Sequence, residues 1–318
     1  MHEPIVINEV GLRDGLQNLA AIIPLEGKLR LLTALVNAGV RHLEVTSFAS
    51  SQAVPQLADA DALVARLPKA ENVHYSVLVP NQKGYDRAKL SGARSIAVVI
   101  AATETLNRKN INMSLAQAVD VSKQVISRAK TDGGFARAYI AAAFACPYEG
   151  KTPLRKVVGL ASELLAAGAD EIAVADTIGA GNPAQVREMF GELIHAYGRE
   201  RIAAHFHDTR AMALALTWAA LEAGVRKFDS SIGGLGGCPF APGASGNLAT
   251  EDLVFLLQDC GFATGIRLPA LMEAVAVAAE LVGKEIGGRI LPWYRTRNGQ
   301  TAPSPGASNK FDLVEGEL

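Results

Sequence analysis

The chain has 318 residues, of which 49% are hydrophobic and 20% charged, a composition that excludes a disordered or fibrous protein. Its 31 Lys and Arg residues against 32 Asp and Glu residues leave a formal charge of −1, so we expect no nucleic-acid partner. No apolar run approaches the roughly 18 residues of a membrane helix, and the sequence starts without the layout of a signal peptide. We therefore expect a cytoplasmic protein with no membrane partner.

Short β-rich runs alternate along the chain with longer stretches of helical pattern. In chain order, the predicted strands are Ile5–Val10, His42–Phe48, Val73–Val79, Ser95–Ala101, Arg137–Phe144, Glu171–Asp176, Ile202–His207 and Lys227–Ile232. In the same order, the predicted helices are Glu26–Asn37, Ser114–Lys130, Pro153–Ala167, Pro183–Tyr197, Thr209–Ala223, Thr250–Cys260 and Pro269–Val282. Near-continuous apolar strands between helices are typical of a parallel sheet with helices on both faces.

A weak internal repeat supports this arrangement, because a helix end, a glycine and a strand follow one another four times. The glycines of the repeat are Gly39, Gly92, Gly168 and Gly224. Each is predicted to lie just past a helix, where glycine adopts a positive φ more easily than other residues. Eight strands with intervening helices predict an α/β fold of the (β/α)8 TIM-barrel type. An open doubly wound sheet is the alternative, because periodicity alone does not close a barrel.

The chain changes character beyond the last predicted strand. We predict that residues 1–264 form the catalytic barrel domain and that residues 265–295 form a short C-terminal helical extension. From residue 296 onward the sequence is polar and rich in Pro, Gly and Ser. This composition predicts a disordered tail over residues 296–318.

Several predicted strands carry polar residues at their carboxyl ends, where barrels of this kind build their active sites. Arg13 and Asp14 follow the first strand as a cation beside a carboxylate ligand or base, although a surface ion pair in a turn is the alternative. Glu44 lies among apolar residues of the second strand, so we expect it to be buried and paired with Arg13. Asp176 closes the sixth strand as another carboxylate, and it could equally cap the following helix.

The seventh strand ends in the segment Ala-His-Phe-His-Asp. Its two histidines, His205 and His207, are two residues apart, so alternation along the strand points both imidazoles to the same side. In a closed barrel that side is the interior mouth. Two convergent imidazoles suit a divalent metal ion, and a pair of hydrogen-bonded histidines at a strand end is the alternative.

A glycine-rich loop, Gly233–Gly246, follows the last strand and contains one of the three cysteines. Dense glycine allows such a loop to move and to bring backbone N–H groups near a ligand. We interpret Cys238, in the middle of this loop, as a reactive acid, base or nucleophile. The alternative is that it is a small core residue. Asn247 follows closely and could add an amide oxygen to a metal site. The other cysteines, Cys146 and Cys260, read as structural.

With these motifs the sequence resembles the 3-hydroxy-3-methylglutaryl-CoA lyase family of the DRE-TIM metallolyases. This superfamily also contains isopropylmalate synthases and pyruvate-carboxylase-type transcarboxylase domains. The matching segments are VGLRDGLQN, LEVTSF, KNINMS, CPYEGKT, DTIGAG, HFHDT and SSIGGLGGCPFAPGASGNLATEDLV. The last of them, with its cysteine loop, distinguishes the lyases from the synthases.

The resemblance implies a TIM barrel that binds Mg²⁺ or Mn²⁺. The implied metal ligands are Asp14, His205, His207 and Asn247. The implied catalytic residues are Arg13 and Cys238, with Glu44, Asp176 and Glu251 in support and Gln17 lining the same pocket. A ligand set of oxygen and imidazole groups agrees with a hard to borderline divalent ion.

The resemblance also implies an acyl-CoA substrate, cleaved between C2 and C3 into acetoacetate and acetyl-CoA. Arg13 would stabilise the negative charge on the thioester oxygen, and Cys238 would protonate the enolate carbon. Asp176 or His205 would take the proton of the C3 hydroxyl. A lyase acting on another branched 3-hydroxyacyl-CoA, a Claisen-type synthase and a non-catalytic metal-binding barrel are the alternatives. We expect a homodimer or a higher homo-oligomer.

Two segments at the carboxyl end of the predicted barrel depart from the family pattern. After HFHDT this chain has Arg210-Ala211-Met212 where familiar members have Tyr-Gly-Gln. After the second strand it has Ser51-Gln52-Ala53 in place of a Ser-Pro-Lys-Trp stretch. Both departures bear on the preference for the acyl group and leave the residues for C–C cleavage in place.

Overall fold

The computed structural model describes residues 3–237, 246–297 and 299, and its centre is a closed barrel of eight parallel strands. The strands are β1 (Val6–Glu9), β2 (His42–Ser47), β3 (His74–Leu78), β4 (Ser95–Ala101), β5 (Phe135–Ala141), β6 (Glu171–Asp176), β7 (Ile202–Phe206) and β8 (Lys227–Ser230). Each strand pairs with its neighbours in sequence, and β8 pairs in parallel with β1, with Val6 opposite Lys227. This last pairing closes the sheet and confirms the TIM barrel over the open sheet.

Helices follow each of the strands and cover the outside of the barrel. Those that directly bridge or follow the strands are α1 (Leu25–Ala38), α2 (Ala60–Ala65), α3 (Gln82–Leu90), α5 (Leu115–Thr131), α6 (Leu154–Ala166), α7 (Pro183–Tyr197), α8 (Ala213–Glu222) and α9 (Thr250–Asp259). The additional helices are α4 (Glu104–Ile111), α10 (Leu268–Val282) and α11 (Ile290–Arg297). The sequence pattern does not predict α2, α3 or α4, because α2 is a short helix and the other two are dominated by polar residues.

Local sequence signals explain where several elements begin and end. Helices α5 and α7 both start with a capping box, in which Ser114 and Asn182 accept hydrogen bonds from the backbone three residues later. The four repeat glycines all have φ between 95° and 105°, as the repeat predicts. The predicted strand Arg137–Phe144 instead ends at Ala141, because Ala142 has a φ of 53° and turns the chain out of the sheet.

The start of α8 also differs from the prediction. The helical pattern begins at Thr209, whereas the helix begins at Ala213. Ala211 has a φ of 55°, which lies in the left-handed region and interrupts a right-handed helix. The intervening residues form a turn after β7.

Small residues fill much of the barrel interior. Ala97, Ala173 and Ala203 come from three different strands and pack with Leu78 around the ring of Tyr139. Because these alanines occupy little volume, the interior has room for the large side chain of Tyr139 and for charged groups above and below it. A separate, larger apolar core lies between the strands and the surrounding helices.

The C-terminal helices pack onto the barrel. α10 lies against α1, where a Cβ on Gly27 would come within 2.7 Å of the Leu281 side chain and where Arg30 pairs with Glu280. The division into a barrel, an extension and a tail stays a prediction, and most of the predicted tail lies outside the described residues. Within the described ranges, no helix combines enough length with enough apolar sequence to span a membrane.

Candidate active site

Three of the predicted metal ligands converge at the carboxyl end of the barrel. Asp14 lies in the single helical turn Gly11–Gly15 that follows β1, His205 lies in β7, and His207 is the first residue after that strand. One oxygen of Asp14 and one ring nitrogen of each histidine all lie within 4.8 Å of one another. All three residues are buried, so their polar atoms are held together away from bulk water.

Asn247 is brought to this cluster by a short backbone pairing. It forms an isolated antiparallel bridge with His207, next to a hydrogen bond from Asp208 N to Gly246 O of 3.1 Å. The side-chain amide of Asn247 donates to Asp14 Oδ2 at 2.7 Å. This leaves two buried atoms, Asn247 Oδ1 and His207 Nδ1, without a hydrogen-bond partner in the described chain.

The buried carboxylate and imidazoles, with the unpartnered Asn247 Oδ1 beside them, fit a divalent cation, and the His207 nitrogen that faces Asp14 Oδ2 is Nε2, 4.0 Å away. A buried polar atom without a hydrogen bond is rare and costly in free energy, whereas amide, carboxylate and imidazole groups are common ligands of divalent ions. Burial and the neighbouring His205 lower the pKa of His207 to about 4, so at neutral pH its imidazole is unprotonated. Burial opposes ionisation of Asp14, but Arg13 and the two histidines together lower its pKa. The cluster therefore offers a carboxylate and a neutral imidazole.

The guanidinium of Arg13 lies beside the metal cluster and is held by two carboxylates. Its Nη1 donates to Asp14 and its Nε donates to Glu44, which also accepts from the Tyr139 hydroxyl at 3.1 Å. Arg13 and Glu44 are 6% and 0% exposed, so this is a buried pair and not a surface ion pair in a turn. Although burial opposes the charge, Glu44 and Asp14 raise the pKa of Arg13. Gln17 donates to Asp14 Oδ1 at 3.0 Å and so orients the same carboxylate.

Asp176 ends β6 at the same side of the barrel but points toward its own loop. It is fully buried, and its two oxygens accept hydrogen bonds of 2.8 Å from the backbone N–H groups of Ala180 and Gly181. The alternative that it caps α7 is wrong, because Asn182 occupies the N-cap of that helix. Burial raises the pKa of Asp176.

Arg210 holds the same loop from outside. It lies in the turn before α8, and its guanidinium donates to the carbonyl oxygens of Gly179 at 2.6 Å and Gly181 at 2.9 Å. The side chain is therefore tied to the loop that carries the backbone partners of Asp176. Arg210, at which this chain departs from the family pattern, thus binds the backbone of that loop.

Glu251 lies in the first turn of α9 and connects two distant segments. Its Oε2 accepts from Gly233 N at 3.1 Å, at the start of the glycine-rich loop, and its Oε1 accepts from Gly288 N at 2.6 Å. Burial raises the pKa of Glu251 to about 7. The C-terminal extension is thereby hydrogen-bonded to the residue that supports the beginning of the loop.

Both described ends of the glycine-rich loop lie close to the metal cluster. Gly236 has a φ of 126°, and a Cβ placed there would lie 2.5 Å from Asn247 Nδ2 and 3.6 Å from Asp14 Oδ2. Only glycine allows so close an approach of the backbone. Residues 238–245 lie outside the described residues, so the placement of Cys238 stays a prediction.

The two other cysteines differ from each other in environment. Cys146 is buried and accepts a hydrogen bond from the Thr103 hydroxyl at 3.1 Å, as a structural residue would. Cys260 is exposed at the C-cap of α9. The interpretation of Cys260 as a packed structural residue is therefore wrong.

The structure also places buried polar residues inside the barrel that the sequence analysis does not single out. They are Asn8, Arg137, Tyr139 and Asp229, whereas Glu9 is buried on the outer face of β1, where it accepts hydrogen bonds from Thr250 and the Ile232 backbone. The pattern that indicates Glu44, an acid among apolar strand residues, applies equally to Glu9, whereas Asp229 lies among the polar residues Lys227 and Ser230. Burial opposes ionisation of Asp229, but Arg137 and a hydrogen bond from His205 lower its pKa.

Comparisons with known proteins agree on one family. The family model described as HMGL-like matches residues 4–278. A hydroxymethylglutaryl-CoA lyase of Bacillus subtilis is 40% identical over 292 residues, which cover 92% of this chain and 98% of the relative.

Solved structures extend this similarity to the fold. A hydroxymethylglutaryl-CoA lyase from Pseudomonas aeruginosa has a TM-score of 0.90 at 37% identity, covering 93% of this chain and 99% of the other. An HMG-CoA lyase from Acinetobacter baumannii, solved in complex with coenzyme A and 3-methylmalate, has a TM-score of 0.88 at 35% identity. The match covers 95% of this chain and 98% of that one.

Proposed function

Because this chain belongs to the HMGL-like family, we propose that it is a carbon–carbon lyase that cleaves 3-hydroxy-3-methylglutaryl-CoA to acetoacetate and acetyl-CoA. The observation that carries the proposal is the grouping of Asp14, His205 and His207 beside the charged guanidinium of Arg13. A carboxylate, two imidazoles and a fixed cation at one barrel end suit a reaction that begins with deprotonation of a hydroxyl group. In such a reaction negative charge then develops on the departing group.

The metal site would be formed by Asp14, His205, His207 and Asn247. We propose Mg²⁺ or Mn²⁺ as the ion, because this donor set combines oxygen and imidazole ligands. A bound divalent ion would supply polarisation of the C3 hydroxyl and a fixed orientation of the substrate carboxylate. Gln17 supports the site through its hydrogen bond to Asp14.

Arg13 would act on the thioester end of the substrate. When the C2–C3 bond breaks, its electron pair passes to C2 and negative charge grows on the thioester oxygen of the departing acetyl-CoA. Glu44 and Asp14 occupy the Nε and Nη1 of Arg13, so its remaining nitrogen, Nη2, is the donor proposed to face that oxygen. A donor fixed by two buried carboxylates needs little reorganisation during the reaction.

Two proton transfers complete the reaction. We propose that Asp176 is the base that takes the proton of the C3 hydroxyl. Each of its oxygens accepts only one backbone hydrogen bond and retains a further lone-pair site. His205 is the weaker candidate, since one ring nitrogen faces Asp229 and the other would bind the metal. Cys238 would then donate a proton to C2 of the enolate, which releases acetyl-CoA.

A panel of thioesters tests the proposal. Protein stripped of metal with EDTA would be assayed for acetyl-CoA release from 3-hydroxy-3-methylglutaryl-CoA and from other branched 3-hydroxyacyl-CoA thioesters, with Mg²⁺ or Mn²⁺ added back. We expect cleavage only with metal, and fastest for the first substrate. The matched control is 3-methylglutaryl-CoA, which lacks the C3 hydroxyl and should remain intact.

The outcomes separate the candidates. Absence of acetyl-CoA from every hydroxylated thioester would contradict the lyase assignment. Faster cleavage of a different branched thioester would favour the alternative substrate, which the departures at Arg210 and Ser51 make the second candidate. The homo-oligomeric state and the cytoplasmic location stay predictions.

A further inference from the structure

A buried carboxylate lies directly behind one of the proposed metal ligands. Asp229 in β8 is the register partner of His205 in β7, and its Oδ2 lies 3.0 Å from His205 Nδ1. A carboxylate oxygen accepts a hydrogen bond, so Nδ1 carries the hydrogen of this pair and Nε2 is the ring nitrogen left to face a ligand. A histidine in this tautomer presents Nε2 to a metal and is fixed in ring orientation by the carboxylate behind it.

The second oxygen of Asp229 is held from the other side. Arg137 Nη2 donates to Oδ1 at 2.7 Å, and Asn8 Nδ2 donates to the same atom at 3.1 Å. Asp229, Arg137 and Asn8 are 2%, 5% and 7% exposed. With both oxygens engaged, the carboxylate cannot rotate away from His205 without breaking a buried charge pair.

Arg137 is itself part of a line of alternating charges at the amino end of the barrel. Its Nε lies 3.1 Å from Glu171 Oε1, and Glu171 accepts from Lys227 Nζ at 2.7 Å. The Arg137 guanidinium also lies 4.8 Å from the centre of the Tyr139 ring. The line begins in a cavity of about 850 Å³ at the amino end of the barrel, whose lining includes Arg137, Glu171, Lys227 and Asp229.

We propose that Asp229 is a positioning residue for His205 and that Arg137 holds Asp229 in place from the amino end of the barrel. The proposal rests on the metal site of the proposed function, and it adds two residues that touch neither the metal nor the substrate. Partners of this kind set the ring orientation of a ligating histidine, and their loss typically lowers metal affinity about 10- to 100-fold.

The first experiment measures metal affinity in the folded protein. Asp229→Asn keeps the size of the side chain but removes its charge, and Mn²⁺ binding to the metal-free protein would be followed by calorimetry and by the EPR signal of free Mn²⁺. We expect the Kd for Mn²⁺ to rise about 10- to 100-fold, with far-UV circular dichroism unchanged. Asp59→Asn is the matched control, because it removes the partner of another buried cation, Lys28, on the outside of the barrel.

A purely structural role makes a different prediction for this pair of variants. Both substitutions would then lower the resistance to urea and leave the Kd for Mn²⁺ within about threefold of the parent protein. That result would overturn the proposal. Metal binding and cleavage by the parent protein are recorded in parallel, so a failure of the proposed function itself would show as a parent protein that binds no Mn²⁺ or cleaves no thioester.

Chemical rescue provides the second, independent experiment. Arg137→Ala leaves a void that opens into the amino-end cavity, so guanidinium ion at millimolar concentration can enter and occupy it. We expect the Kd for Mn²⁺ to rise in this variant and to recover with guanidinium. Urea has the same planar shape without the charge and should not restore binding. Equal rescue by urea, or a variant that binds Mn²⁺ like the parent, would contradict the role of Arg137.

Discussion

The two ends of the barrel differ in how fully their buried groups are satisfied. At the amino end, charged residues form ion pairs such as Lys227 with Glu171, and three buried side-chain atoms, Tyr75 Oη, Arg137 Nε and Arg226 Nε, lack a hydrogen bond in the described chain. At the carboxyl end, buried polar atoms remain without a hydrogen bond in the described chain. They are Thr46 Oγ1, Thr209 Oγ1, Ser231 Oγ, His207 Nδ1 and Asn247 Oδ1, five of the eight such atoms.

Backbone conformation shows the same contrast. The turns that lead into strands at the amino end place six glycines at positive φ, together with Asn72, a residue type that tolerates the left-handed region. At the carboxyl end, Ala142 after β5 and Ala211 after β7 adopt positive φ values of 53° and 55°. Unmet polar groups and strained residues gather at functional sites because binding a ligand requires atoms that the fold has not already used. The carboxyl end holds more of the unpartnered atoms than the amino end and has alanine in the left-handed region, where the amino-end turns have glycine or asparagine.

The largest expected difference between the two ends is the effect of removing the metal, which should abolish activity at the carboxyl end and leave the rest of the fold unchanged. EDTA-treated protein should lose all lyase activity and recover it with Mg²⁺ or Mn²⁺, while its far-UV circular dichroism stays unchanged. Asp14 is already held by Arg13, Gln17 and Asn247 without a metal, so the fold does not depend on the ion. Loss of helical signal on chelation would mean that the ion is structural, and full activity without metal would contradict the site.

Cysteine substitutions give the next largest expected effect. Cys238→Ala and Cys238→Ser should lower kcat about 10²- to 10⁴-fold, the usual contribution of a general acid or base. Cys260→Ala is the matched control, because Cys260 is exposed at the end of α9, and kcat should stay within about twofold of the parent value. Steady-state kinetics on the same substrate compares them. If Cys260→Ala lost activity while Cys238→Ala kept it, the proposal that Cys238 in the glycine-rich loop is the proton donor would be wrong.

Arginine-to-lysine changes at the two ends test geometry at constant charge. Arg13→Lys cannot donate to Glu44 and Asp14 through a planar fork, so kcat should fall about 10²- to 10³-fold. Arg226→Lys, at the amino end, should leave kcat nearly unchanged, although Arg226 also donates to two backbone carbonyls. Equal effects of the two variants on kcat would mean that Arg13 acts only through the stability of the barrel.

The sequence predicts the barrel and much of the site for one shared reason. Strand alternation is a local pattern, and it places His205 and His207 on one side of β7 and makes the buried charge of Glu44 conspicuous. Contacts that depend on closure of the barrel escape such a pattern. Asp229 meets His205 only because β8 lies beside β7, and Glu251 reaches Gly288 across 37 residues of chain.

The smallest expected effect concerns backbone strain, and it compares one residue at each end. Ala211 is exposed and has a φ of 55° before α8, and Gly224 has a φ of 102° before β8. A residue other than glycine in the left-handed region destabilises the folded state by roughly 1–2 kcal/mol. Glycine instead lowers the free energy of unfolding by about 0.4–1 kcal/mol, because it gives the unfolded chain more conformational freedom. Ala211→Gly should therefore raise the free energy of unfolding by about 0.5–1 kcal/mol.

The opposite exchange at the amino end should have the opposite sign. A Cβ on Gly224 would meet the Ile194 side chain at an ordinary contact distance of 3.5 Å, so Gly224→Ala adds strain without a clash. Its free energy of unfolding should fall by about 0.5–1 kcal/mol. Urea unfolding followed by circular dichroism measures both changes. If both variants shift the urea midpoint in the same direction, strain at Ala211 is not what distinguishes the carboxyl end, and the contrast would rest on the unpartnered polar atoms alone.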